Sequence, residues 1–380
     1  MRPNKGHAGP MLPSENIVAE ESAEDGEPRR VGRGWWIAGS VMAVVVAVVV
    51  AAALIPVPYV ALGPGSVWPL DNQITVVDAN SFPSDQPVAF TTVSVGSTSA
   101  LEAALGWWDK DVDVLPEEAV RGDRSASANR RYNAELMDTS ISTAIAVAEG
   151  YLGEDVRITT SGAIVREIQA DSPAAAVLEL DDVIVTVDDQ AVDDIGELGT
   201  LLQVGGPGAS HALGVERPAG STTRIKVQVV TVAAKDKPER AVIGIVPEDR
   251  IVDFDFPIDV TIDSDTVGGP SAGLAFTLAV IDILTPGQLT GGTRVAVTGT
   301  IALDGTVGPV GGGSQKATAV RQAGYDVFLV PTSEFELAQA AVGDDVQVIA
   351  VDTLEEALAA LIDRGGTPAE LVPLAAGRGG

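Results

Sequence analysis

One serine and one lysine in the second half of the chain have the residue types and settings that nucleophilic catalysis requires. Ser271 lies in the run Val267-Gly-Gly-Pro-Ser-Ala-Gly-Leu-Ala-Phe-Thr-Leu-Ala-Val280, in which two glycines and a proline precede a long apolar segment. Pro270 suits the first position of a helix, because its missing N–H costs nothing there. Ser271 would then stand at the helix N-terminus, either as an N-cap or as a nucleophile beside free N–H groups.

Lys316 is the only lysine after residue 237, and its helical setting predicts that it points inward. On a helix that begins at Ser314, it shares one face with apolar side chains, and the opposite face is polar. The apolar face carries Ala319, Val320 and Ala323; the polar face carries Gln315, Thr318, Arg321 and Gln322. Burial and a nearby helix N-terminus both lower a lysine pKa toward the range of a general base. The alternative is a lysine with a packed stem and a hydrated ammonium.

Composition narrows the chemistry available to this serine. The chain has no cysteine, which excludes thiol catalysis and cysteine-based zinc sites, and its two histidines, His7 and His211, are far from Ser271 in sequence. No Gly-Lys pair occurs, so a P-loop for ATP cannot be written. A net charge of −29 argues against nucleic acid as a partner. We therefore expect no metal, cofactor or ATP, and Lys316 is the only conventional amine base for Ser271.

An apolar segment near the N-terminus predicts a membrane anchor. Residues 35–55 carry no charge and are long enough to cross a bilayer as one helix. Arg29, Arg30 and Arg33 precede the segment, which by the positive-inside rule places the N-terminus in the cytoplasm and the rest of the chain outside it. The prediction is a single-pass protein of the cell membrane. The alternative is a cleaved signal peptide ending near Ala51-Ala52-Ala53.

Composition shifts and hydrophobic periodicity predict an α+β protein of several domains. The expected layout is a disordered cytoplasmic tail over 1–34, a transmembrane helix over 35–55, a linker over 56–71, a β-rich and helical membrane-proximal region over 72–155, a β-rich domain over 156–235, an α+β domain over 240–364 and a disordered tail over 365–380.

The β-rich domain resembles a PDZ domain, through Ser172-Pro173-Ala174-Ala175 and the segment from Leu180 to Val192. The resemblance implies that a peptide adds as a strand beside the first strand of the domain and against its helix over 195–203. The matching edge is Gly162, Ala163, Ile164 and Val165. Asp181 stands where a glycine is usual, and residues 160–163 match the family's carboxylate-binding loop weakly. A domain that serves only as a spacer is the alternative.

The α+β domain resembles the proteolytic domain of Lon proteases. The resemblance rests on Gly269-Pro-Ser-Ala-Gly273, on Val297-Thr-Gly-Thr-Ile-Ala-Leu-Asp-Gly-Thr-Val-Gly-Pro-Val-Gly-Gly312, and on Lys316 with Ala323-Gly324. It implies that Ser271 is the nucleophile, that Lys316 is the general base and that Thr298 positions the lysine. The backbone at Gly269, Pro270 and Ala272 would hold the oxyanion. The chain departs from ATP-dependent Lon in having no ATPase module, and in having Gly268-Gly269 where an acidic residue and a glycine are usual.

The whole layout is similar to the membrane-bound, PDZ-containing Lon-like proteases of bacteria. It implies an ATP-independent serine endopeptidase that acts on flexible or unfolded protein segments outside the cytoplasm. The PDZ-like domain would bind a substrate peptide or gate access to the site. Lon-type domains often assemble as hexameric rings, and the resemblance leaves open whether this chain forms a homo-oligomeric ring. The alternative function is an inactive, membrane-anchored peptide-binding scaffold or holdase.

Overall fold

The computed structural model describes residues 33–122, 124–217, 224–264 and 267–367; the expected tails over 1–34 and 365–380 lie almost entirely outside these ranges. The helices are α1 (Arg33–Leu54), α2 (Ala100–Gly106), α3 (Glu117–Arg121), α4 (Ala126–Tyr151), α5 (Ile195–Leu202), α6 (Gly273–Leu284), α7 (Gly313–Ala323), α8 (Phe335–Val342) and α9 (Leu354–Ile362). The strands are β1 (Pro56–Pro69), β2 (Ile74–Val77), β3 (Ala89–Ser99), β4 (Asp113–Pro116), β5 (Arg157–Ile168), β6 (Val183–Val187), β7 (Gln190–Ala191), β8 (Ser210–Glu216), β9 (Arg224–Val230), β10 (Val232–Ala233), β11 (Ala241–Val242), β12 (Ile245–Asp255), β13 (Asp259–Ile262), β14 (Val295–Val297), β15 (Thr300–Ile301), β16 (Val307–Gly308), β17 (Val327–Val330) and β18 (Gln347–Ala350).

Helix α1 belongs to a unit of its own, which ends at Ile55. Its segment Trp35–Leu54 has 20 residues, and none of its most apolar stretch is buried against protein. At 1.5 Å per residue such a helix is about as long as a hydrocarbon core is thick. The predicted helix is therefore present, and by length and composition it could span a membrane.

The second unit is built on a six-stranded mixed sheet in the order β18-β17-β14-β3-β1-β4. Its inner strand β14 runs parallel to β3 on one side and to β17 on the other. Helices cover both faces of the sheet at β14 and β17, which is why these two strands are buried and apolar throughout. Phe90 and Val297 face the core with α4, α6 and α9, whereas Ala296 and Phe328 face the core with α7 and α8.

This sheet corrects the prediction of a linker over 56–71 and of a separate region over 72–155. Strands β1 and β3 are hydrogen-bonded within it, with Ala296 of β14 opposite Ala89 of β3, and β2 pairs with β13. The physical reason lies in α6, whose 12 residues are buried on nearly every side. The segment over 240–364 cannot cover such a helix alone, so α4 and β3 supply the missing apolar surface, including the Phe90–Phe276 ring contact.

The β-rich domain is inserted into this fold between α4 and β13. Its sheet has the order β12-β5-β6-β8-β9, with β7 paired to β6. A separate apolar core lies beneath α5, formed by residues such as Ile184, Leu198 and Leu213. The α+β class with several domains is thus confirmed, but one domain interrupts the other instead of preceding it.

Candidate active site

Ser271 lies immediately before α6 and does not cap it. The helix begins at Gly273, Ala272 occupies the N-cap position, and no side chain caps the first turn. Pro270 therefore does not stand at the first helical position, contrary to the sequence expectation. The Ser271 side chain is half-buried, and within the described chain no hydrogen bond engages its hydroxyl group. The Ser271 hydroxyl therefore does not act as an N-cap, which was the main alternative to a role as nucleophile.

Hydrogen bonds to its carbonyl fix the backbone of Ser271. The Gly299 N–H donates to Ser271 O over 3.0 Å, and the Leu274 N–H donates to Gly299 O over 3.1 Å. The Thr298 hydroxyl donates a further bond to Ser271 O, also over 3.0 Å. The turn after β14 is thereby locked to the turn before α6.

Lys316 approaches Thr298, at the end of β14, from the opposite face of the sheet. It lies in the first turn of α7, is 1% exposed, and donates from Nζ to Thr298 Oγ1 over 3.0 Å. Thr298 directly follows β14, and its N–H continues the sheet by bonding Leu329 O. The site therefore sits at the carboxyl end of an inner parallel strand, where ligand sites of α/β sheets commonly form. The structure joins the Lys316 amine to the Thr298 hydroxyl, and the Thr298 hydroxyl to the backbone carbonyl of Ser271.

The surroundings of Lys316 favour its neutral form. Burial lowers the pKa of Lys316 to about 8, and the charge of Glu334 partly opposes this shift. The inward orientation predicted from the helical spacing is confirmed, which removes the hydrated-ammonium alternative. The assignment of faces is wrong elsewhere on α7, since Thr318 is buried and Ala323 is exposed. Gln315 is also buried and bonds Asp113 over 2.8 Å.

The backbone donors near Ser271 differ from those expected. The Gly269 N–H is already bonded to Asn133 O over 2.8 Å, and Pro270 has no N–H to offer. Among the described residues, no acceptor bonds the N–H groups of Ser271 or Ala272. The N–H groups of Ser271 and Ala272 can therefore donate to an oxyanion. Of the three residues predicted for this role, only Ala272 can still donate.

Helix α4 holds the loop before Ser271, a contribution that the sequence did not reveal. Ser140, 7% exposed, donates from Oγ to Pro270 O over 3.1 Å, while Asn133 accepts from the Gly269 N–H. The two residues are separated by about two helical turns and lie on one side of α4. No local signal marks them, because their partners lie some 130 residues further along the chain.

The predicted peptide-binding edge is not available in this structure. Ala163 and Ile164 pair with β6 on one side, and on the other side β12 pairs along β5 from Ile168 to Arg157. Pro247 of β12 stands opposite Val165. A strand with neighbours on both sides cannot accept a third, so the expectation that a peptide adds at Gly162, Ala163, Ile164 and Val165 is corrected.

The end strand of this sheet is β12, and a cavity of about 710 Å³ lies between α5, the segment 232–244 and the start of β12. Its walls include Ile195, Leu198 and Leu202 of α5, the loop residues Ile243 and Gly244, and Ile245 at the start of β12. Gly244 has φ +80°, and a Cβ there would collide with Ser172, so this turn requires glycine. A glycine between two isoleucines just before a strand was the available sequence signal for this groove.

Two family models match separate parts of this chain. Residues 247–364 match the Lon protease (S16) C-terminal proteolytic domain, and residues 150–229 match the PDZ domain. The Lon protease of Campylobacter concisus is 36% identical over 94 residues, covering 24% of this chain and 11% of that protein. Lon protease 2 of Bacillus subtilis is 33% identical over 117 residues, covering 30% of this chain and 19% of that protein.

Solved structures of bacterial PDZ domains are similar to about a quarter of this chain. The PDZ domain of the SdrC-like protein from Listeria innocua is 20% identical, covers 23% of this chain and 93% of that chain, and has a TM-score of 0.21. The match to the two Lon proteases named above spans less than a fifth of the length of either protein. The sequence matches show that this chain joins a PDZ domain to a serine-peptidase domain of the Lon family.

Proposed function

We propose that the chain is a membrane-anchored serine endopeptidase that works without ATP through a Ser271–Lys316 dyad. The observation that carries the proposal is the buried Lys316 amine, tied through the Thr298 hydroxyl to the backbone of Ser271. A buried amine with a lowered pKa is costly to maintain and suits a general base. This cost argues against the alternative of an inactive peptide-binding scaffold.

In the proposed reaction, Ser271 Oγ attacks the scissile carbonyl carbon while neutral Lys316 takes the hydroxyl proton. The N–H groups of Ser271 and Ala272 donate to the oxyanion of the tetrahedral intermediate. The ammonium of Lys316 then gives its proton to the leaving amine, and the C–N bond breaks to leave an acyl-enzyme. Water attacks this ester, Lys316 accepts its proton, and the proton returns to Ser271 Oγ as the acid product departs.

The PDZ domain would bind an extended segment of the substrate along β12. Because β12 is the end strand of its sheet, its outer edge would offer main-chain hydrogen bonds, and the apolar wall of α5 would offer side-chain contacts. Such binding selects chains that can become extended. The preferred substrates are therefore flexible tails, loops and unfolded proteins, which need no ATP-driven unfolding.

Helix α1 would anchor the chain in the cell membrane with its N-terminus in the cytoplasm and the peptidase outside it. The proposal is supported by the length and apolar character of Trp35–Leu54 and by the arginines that precede it. Labelling of single cysteines in intact cells tests this topology. Labelling of a cysteine at Ser333, which is exposed, by an impermeant reagent supports the outside location. Labelling only after lysis contradicts it.

The experiment for the activity is cleavage of unfolded casein by the purified full chain without nucleotide. Ser271→Ala and Lys316→Ala should each reduce the rate by at least about 10³-fold, as expected for members of a catalytic dyad. Ser314→Ala, a change near Lys316 on the same helix, is the control and should stay active. If Ser271→Ala cleaves as fast as the wild type, the proposal fails and the scaffold alternative gains support.

A further inference from the structure

A carboxylate lies against the helix that carries Lys316. Glu334 ends the 3₁₀ turn Thr332–Glu334, which follows β17. Its Oε2 occupies the space where a Cβ on Gly313 would lie, and its own Cβ and carboxyl carbon are at 3.4 Å from that position. Gly313 precedes Lys316 by one helical turn. The glycine therefore lets the Glu334 side chain lie flat on α7 beside the lysine.

Other charged groups around Lys316 are placed differently. Strands β1 and β3, which pack on α7, contain no Asp, Glu, Lys or Arg. In α8, Glu336 is exposed to solvent. Asp113 of β4 bonds Gln315, and Arg321 lies more than one turn further along α7. Tyr59, the titratable residue of β1, contacts the Trp107 ring.

The electrostatic influence runs in both directions between Glu334 and Lys316. Burial lowers the pKa of Lys316, and the Glu334 charge works against that change. Burial also raises the pKa of Glu334, and the Lys316 charge works against this change too. Glu334 is only partly buried, so its carboxylate keeps some contact with water, which limits the effect of burial on its pKa.

We propose that Glu334 is a positioning residue of the dyad, whose carboxylate against the first turn of α7 favours the positive charge on Lys316 while the lysine carries the serine proton. The inference rests on the proposed function, because it takes Lys316 as the base. The proton moves from Ser271 Oγ to Lys316 and on to the leaving amine, and Glu334 itself neither gains nor loses one. Its charge stabilises the intermediate, in which the lysine is positive, against the resting state, in which it is neutral.

The test is the pH dependence of kcat/KM for casein cleavage by the full chain, in the wild type and in Glu334→Gln. Glutamine keeps the size and removes the charge. The acidic limb of the profile should move to lower pH by roughly one unit, because Lys316 loses the opposite charge that favours its protonated form. The plateau rate should fall several-fold. Glu334→Asp keeps the charge and should retain most of the wild-type profile, and Glu336→Gln, an exposed neighbour, should match the wild type.

An acidic limb that stays in place in Glu334→Gln overturns the inference, even if the rate falls, because a purely structural role would not move the limb. A limb that moves to higher pH overturns it as well. These failures are distinct from failure of the proposed function, which shows itself in an active Lys316→Ala variant.

Discussion

Lys316 Nζ donates a 3.0 Å hydrogen bond to Thr298 Oγ1, and the same hydroxyl donates to the carbonyl oxygen of Ser271. One threonine thus connects the helix that carries the base to the turn that carries the nucleophile. Because its hydroxyl hydrogen points to Ser271 O, its oxygen lone pair faces the amine. This arrangement orients Lys316 whether it is neutral or charged, since both forms can donate to that oxygen.

Thr298→Val should weaken catalysis without unfolding the protein. The change keeps the branched shape and removes the hydroxyl, so Lys316 loses its acceptor inside the core. We expect kcat to fall roughly 10- to 100-fold with little change in KM, the cost of one buried hydrogen bond to the base. Steady-state kinetics on a peptide substrate would measure it. Thr298→Ser restores the hydroxyl and should recover most of the activity; equal loss in both variants would contradict a role for the hydroxyl.

The activity should rise with pH through about 8, the pKa of Lys316. Below that value the amine is protonated and cannot take the serine proton, and above it the neutral base predominates. The kcat/KM profile reports groups of the free enzyme, so its acidic limb should lie near this value. A limb near pH 6.5 would instead indicate an unperturbed histidine and would contradict the lysine as base.

The groove beside β12 can be blocked without disturbing the domain core. Gly199 of α5 lines the cavity, and a Cβ built there meets no atom within 4 Å. Gly199→Trp should fill the groove and raise KM for unfolded casein by about tenfold, while cleavage of a short peptide stays unchanged. Thr200→Trp, exposed and outside the cavity lining, is the matched control. Unchanged casein kinetics in Gly199→Trp would contradict substrate binding at β12.

Glu149 makes stability depend on pH. Its carboxyl is fully buried where α4 ends, Oε2 accepts from the Ile258 N–H over 3.4 Å, and burial raises its pKa to about 7. In the unfolded chain the group ionises near its ordinary value of 4.5. Between these values the unfolded state releases a proton that the folded state retains, so stability is full below 4.5 and is lost as pH rises toward 7.

Glu149→Gln should remove this dependence. The variant should be more stable than the wild type at pH 8 by roughly 1–3 kcal/mol and no more stable at pH 4. Thermal unfolding of the full chain in detergent, at both pH values, would measure it. Glu135→Gln, an exposed change on the same helix, is the control. If the difference in unfolding free energy between Glu149→Gln and the wild type is the same at pH 4 and pH 8, the raised pKa is contradicted.

Local sequence signals predicted the setting of the candidate catalytic residues better than they predicted the pairing of strands and the order of domains. The inward position of Lys316 on α7 could be predicted because it depends on helical spacing, and the motif around Ser271 predicted the turn whose carbonyl accepts from the Thr298 hydroxyl. The partnership of β3 with β14 joins residues about 200 positions apart, and no local signal encodes it. The same holds for β12, which takes the edge of β5 that the sequence assigned to a peptide. Ser271 does not cap the helix because α6 starts three residues later than predicted, at Gly273 instead of Pro270, a difference that propensity cannot resolve.

The most direct test of the central claim is to locate the residue that a peptide-based electrophile modifies. The wild-type chain, treated with a peptidyl β-lactone and mapped by mass spectrometry, should carry the acyl adduct on Ser271. Lys316→Ala should acquire it at least about 100-fold more slowly, because the serine then lacks its base. An adduct on another residue, or equal rates at Ser271 in both proteins, would contradict the Ser271–Lys316 dyad.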